Sequence, residues 1–128
     1  MGTRGYYCFK YRGLYYVFYN QFDSYDLGAK MKKELEGFSA DDMETIRCCL
    51  NLFRSMEEYE ERRKNAEEPF QSTGFDGLFN AACHPEDYEL CYVGKECPQD
   101  NTMIEFICIA DLDGHVLLEN NNVVYNWK

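Results

Sequence analysis

Cys83, His84, Cys91 and Cys97 fall within one stretch of the chain and carry the side chains best suited to hold a metal or act as nucleophiles. Zinc sites are usually built on closely spaced pairs, because a tight loop then offers two ligands to one ion. Only Cys83 and His84 are adjacent here, so no metal site is expected, and His84, ahead of Pro85, reads as a loop residue. A catalytic Cys–His pair forms in space and not along the sequence, and nothing in the order of residues selects one. A second set of reactive types, Arg4, Asp23 and Tyr25, lies near the amino terminus. If the residues between Arg4 and Asp23 form a hairpin, its ends meet and the two charges can pair. Such a partly buried pair would fix strand register, with Gly2 and Gly5 permitting close backbone approach. These residues are also the place to look for a ligand.

The elements that must position them can be read from the pattern. Tyr6–Tyr11 and Leu14–Tyr19 are β-rich runs joined at Arg12-Gly13, which predicts a tight hairpin with positive φ at the glycine. Tyr7, Phe9 and Tyr11 share one face of the first strand, and Tyr16 and Phe18 one face of the second; Tyr6, Cys8, Tyr15, Val17 and Tyr19 take the opposite faces. Both faces are apolar enough to need cover, which predicts a central hairpin. Seven of the 11 tyrosines lie within residues 6–25, where buried rings would form the floor of the core.

Asp26 can cap a helix over about 26–36 that closes at Gly37, and Ser39 with Asp42 forms a variant capping box at the start of another over about 40–66. Met43, Ile46, Leu50, Phe53 and Met56 recur at spacings of three and four along it. The later sequence suggests loops, a helical turn near Leu78–Cys83, a strand at Tyr88–Val93, a strand over Met103–Leu112 ending in a type I′ turn at Asp113-Gly114, its return at Val116–Glu119, and a last strand at Val123–Trp127. The expected fold is α+β in one domain over residues 1–128: an antiparallel sheet from both chain ends with two helices packed on it.

The formal net charge is −10, from 23 acidic and 13 basic residues, a field that repels phosphate backbones and anionic lipid. Direct nucleic-acid or membrane binding is therefore not expected, and the same field could attract a basic protein partner. Seven cysteines are an odd number, and Cys8, Cys49 and Cys108 lie in apolar surroundings, so reduced thiols in the cytoplasm or nucleus are expected. No apolar run approaches the ~20 residues of a membrane span.

Two motifs carry resemblances. The stretch "IADLDG" resembles the first motif of haloacid-dehalogenase-type phosphatases, which would make Asp111 the phosphoryl acceptor and Asp113 the acid/base. His115 replaces the hydroxyl residue of that motif, and a hairpin turn is expected there instead. "MGTRG", a hairpin and "YNQFDSY" together resemble a group of fungal, phage and large-DNA-virus proteins without an assigned activity. The same opening resembles, more remotely, the hairpin of amino-terminal nucleophile hydrolases. That resemblance implies Thr3 as nucleophile with Arg4, Asn20 and Asp23 near it, and requires a free α-amine on Thr3.

The expectation is a small acidic, non-enzymatic interaction or regulatory protein that binds a protein partner, with no cofactor, in a viral or fungal setting. The alternative is a small-molecule-binding or hydrolase-like protein with a ligand pocket at Thr3, Arg4, Asn20, Asp23 and Tyr25. Unpaired strand edges would permit a homodimer.

Overall fold

A computed structural model describes residues 3–66, 74–99 and 104–128. Strands β1 (Gly5–Tyr11) and β2 (Leu14–Asn20) form the expected hairpin. Arg12 at φ 53° and Gly13 at φ 74° are both left-handed, the signature of a two-residue type I′ turn whose twist matches its strands. Helices α1 (Leu27–Gly37), α2 (Ala40–Leu50), α3 (Met56–Asn65) and α4 (Leu78–Cys83) follow, then strands β3 (Leu90–Gly94), β4 (Phe106–Asp111), β5 (Val116–Glu119) and β6 (Asn122–Asn126). The fold is α+β, with one six-stranded sheet in the order β3-β2-β1-β4-β5-β6.

The sheet is mixed and not antiparallel as expected. β1 runs parallel to β4, Tyr7 opposite Cys108, while every other neighbouring pair is antiparallel. β3, on the outer edge of β2, and β4, on the outer edge of β1, both run in the direction of β1.

The helical region also departs from expectation, with four helices where two were read. The run over 40–66 divides at Asn51–Ser55, because Ser55 starts a new helix: its side chain accepts a hydrogen bond from Glu58 N at 3.1 Å. Tyr16 Oη donates to Leu50 O at 2.8 Å and Phe53 O at 3.0 Å, serving carbonyls the interrupted helix leaves open. Ser39 and Asp42 form the reciprocal capping box at the start of α2, as expected. Asp26 does not cap α1 with its side chain; it lies 3.4 Å from Lys30 one turn on. α4 is capped from outside, Glu34 of α1 accepting from Leu78 N at 2.7 Å and Phe79 N at 3.1 Å.

The principal core lies between the helices and one sheet face, where Tyr7, Phe9, Tyr16 and Phe18 meet Met31, Ile46, Leu50 and Leu78. The tyrosine-rich start does form its floor. The opposite face holds a second cluster of Cys8, Val17, Ile104, Ile107 and Ile109, edged by Tyr6, Tyr15, Tyr19 and Tyr92. Cys97 and Ile104, on the path from β3 to β4, pack there. Both faces of β1 and β2 are thus covered, as their double-sided apolar pattern requires.

The Asp113-Gly114 turn differs in type. Left-handed φ falls on His115, at 58°, so the β4–β5 connection is a longer loop and not a type I′ turn. Asp111 Oδ1 accepts from Asp113 N and Gly114 N and closes that loop. The type I′ geometry occurs instead at Asn120 and Asn121, φ 48° and 69°, between β5 and β6. Gly2 and Met103 lie outside the described residues.

Candidate interaction surface

Thr3, Asn20 and Ser24 meet where β1 begins and β2 ends, because the hairpin register sets Gly5 opposite Asn20. Ser24 N donates to Thr3 Oγ1 at 2.8 Å, and Asn20 Nδ2 donates to Ser24 Oγ and to Phe22 O, each at 2.7 Å. Asn20 Oδ1 accepts from Phe75 N at 2.8 Å, tying the loop before α4 to the same point. Asn20 and Ser24 are buried. Buried amides and hydroxyls are stable only when hydrogen-bonded, and this knot gives each a partner.

Gly5 completes it. A Cβ there would stand 2.8 Å from the Ser24 side chain and 2.9 Å from Phe106 O, so only glycine lets β1, β4 and the 20–26 turn converge. Within the described residues, Thr3, Gly5, Asn20 and Ser24 form a structural latch. Thr3 and Asn20 belong to it; Arg4 contributes its carbonyl, which accepts from Glu105 N at 2.9 Å. An Arg4–Asp23 pair is not among the ion pairs formed between described residues. Asp23 instead holds a left-handed backbone at φ 58° and points into solvent.

The latch has an outward product. Phe22 and Tyr25 are 56% and 63% exposed, on either side of exposed Asp23 and buried Ser24. An aromatic–acid–aromatic ridge results, held from beneath by the bonds of Asn20 and Ser24. Tyr25 also borders an open hollow of about 300 Å³ with Ala29, Lys32, Glu119 and Val124. Val124 sits at a bulge in edge strand β6, and it and Val123 are exposed.

The other reactive residues are spread apart. Asp111 closes its own loop, and Asp113 accepts from Arg12 N at 2.9 Å and Gly13 N at 3.2 Å, bracing the β1–β2 turn. Parallel pairing of β1 with β4 brings those two turns to one end of the sheet. Cys91 Sγ donates to Val17 O, Cys97 Sγ to Pro98 O, and His84 is exposed. Cys83 contacts Cys49, a pairing the sequence does not signal, since 34 residues separate them. Among the described residues no group of three or more His, Cys, Asp or Glu side chains could hold a metal ion, and no helix is long and apolar enough to cross a membrane.

The tyrosine hydroxyls do not converge on one site. Tyr16 serves the end of α2, Tyr59 donates to Pro85 O and Tyr88 to Asp76. Burial pushes the Tyr16 phenol up to about 12, so it remains a donor at neutral pH. Compared with protein-family models, curated proteins and solved structures, the chain matches none.

Proposed function

We propose that this chain is a non-enzymatic interaction protein whose Phe22–Asp23–Tyr25 ridge docks a basic, partly apolar segment of a protein partner. The observation that carries this reading is an internally satisfied latch whose loop carries two exposed aromatic side chains, Phe22 and Tyr25. Exposed aromatics on a rigid base bind with little loss of conformational freedom, which is why such residues dominate binding energy at interfaces. Exposed Asp23 between the two aromatics in the chain and Glu119 on the hollow beside Tyr25, within a chain of net charge −10, favour a positively charged segment. Weighing against the hydrolytic alternative, Thr3 Oγ1 and both ends of the Asn20 amide already serve the fold.

The test is photocrosslinking in the native cell from a reactive group placed at residue 22 or at residue 25, followed by affinity measurement with the captured protein. Phe22→Ala with Tyr25→Ala should weaken binding roughly thirtyfold while the variant melts like the parent. Binding should also weaken as salt is raised. Unchanged affinity in that double variant would remove the ridge from the interface.

A further inference from the structure

Cys49 lies near the end of α2 and Cys83 is the last residue of α4, and their Sγ atoms are 3.2 Å apart. The other five thiols have different surroundings: Cys8 and Cys108 are buried in the sheet, Cys48 faces Glu44, and Cys91 and Cys97 donate to backbone carbonyls. Among the described residues, the 49/83 pair is the one in which two sulfurs meet, and it joins two helices. We propose that Cys49 and Cys83 are a redox pair that a low-molecular-weight disulfide converts into an internal bond stapling α2 to α4.

Geometry and access both support this. A disulfide needs its sulfurs at about 2.05 Å, so the pair must close by only about 1.2 Å, within reach of small side-chain rotations. Cys49 is half-buried and borders an open hollow of about 420 Å³ shared with Asp41, Glu44, Cys48 and Leu52, large enough for a small reagent beside that residue. Two acids on that hollow favour a disulfide without negative charge. Cys83 is partly covered, and Arg62 of α3 donates to its carbonyl at 3.3 Å. The bond would therefore form where three helices already meet.

The exchange balances without any other reactant. Cys49 gives up its proton and its sulfur attacks one sulfur of the small disulfide, whose S–S bond breaks and releases one thiolate. Cys83 then loses its proton, its sulfur attacks the Cys49 sulfur of the mixed disulfide, and the second thiolate leaves. The two protein protons end on the two released thiols; the protein pair is oxidised and the small disulfide reduced. Cys49 borders the open hollow and takes the first step; partly covered Cys83, whose thiol is pushed up by burial, takes the second.

Cystamine–cysteamine buffers provide the test, with the full chain quenched by alkylation and analysed by intact mass, peptide mapping and thermal melting. The expected product has lost two hydrogens, yields one peptide joined at Cys49 and Cys83, and melts several degrees above the reduced protein; a dithiol reductant reverses both changes. Cys49→Ser and Cys83→Ala should each retain the reduced-protein melt and form no such bond. Accumulation of cystamine adducts on both cysteines without an internal bond, or a bond between other cysteines, overturns the proposal. So does a bridged product that melts no higher than the reduced form.

Discussion

Gly5 shows how much a missing methyl group can decide. It has no positive φ, yet an added Cβ would meet Ser24 and the Phe106 carbonyl within 3.0 Å. Gly13 is the reverse case: left-handed at 74° but with open space around it. Gly5→Ala should therefore destabilise more than Gly13→Ala, which is limited to roughly 1–2 kcal/mol of backbone strain; urea unfolding of the two variants checks the order. Tyr7 and Tyr16 make a second contrast. Tyr7 Oη is buried without a hydrogen-bond partner among the described residues, whereas Tyr16 Oη serves two carbonyls. Tyr16→Phe should lose about 1–3 kcal/mol and Tyr7→Phe should be neutral or stabilising, as read by the same unfolding curves. The sequence marks Thr3 and Asn20 as special without revealing why. Their residue types fit a reactive site and a hydrogen-bonded latch equally well, and only the positions of Ser24 and Phe75 distinguish the two.

At the scale of elements, local chemistry was legible and long-range pairing was not. The Arg12-Gly13 hairpin, the Ser39–Asp42 box and the Leu78–Cys83 turn all form where residue types demand them. The break after Leu50 was also written in the chain: Ser55 and Glu58 repeat the Ser-x-x-acid signal of a helix start. Apolar spacing that continues through Phe53 and Met56 masks it, because Phe53 is buried from a loop and not from a helix. Ser55→Ala should cost about 1 kcal/mol and lower helical content, measurable by far-ultraviolet circular dichroism during thermal melting. A smaller loss than that of Asn51→Ala would argue against a separate α3. The direction of β4 had no local signature, since parallel and antiparallel partners ask for the same apolar strand residues.

Across the whole molecule, burial of thiols and phenols sets the response to alkali. Cys91 is pushed up to about 11 and Cys108 to about 12 by burial, against an ordinary thiol value of 9.0, and Cys8 is also raised. Tyr16 moves from 10.0 to about 12 for the same reason, and Tyr7 is raised as well. Between the ordinary and folded values the native state keeps protons that the unfolded chain releases. Stability is therefore fully present below about pH 9 and falls as pH rises through about 9 to 12. Urea midpoints should be level from neutral pH to about 8.5 and then decline, with the buried share of the tyrosinate absorbance appearing together with unfolding. Absorbance that reaches its full amplitude well before unfolding would mean that the central phenols are open to solvent.

The parallel seam between β1 and β4 also has a consequence in time. Contacts across this seam, such as Arg12 N to Asp113, join residues 101 positions apart. At ordinary elongation rates of about 5–20 residues per second, the ribosome finishes the β1–β2 hairpin roughly 5–20 s before β4 exists. For that interval the inner edge of an aromatic strand is bare on the nascent chain. Polypeptides released before residue 104 would carry this open edge permanently, and chaperones that bind emerging chains should engage this one early.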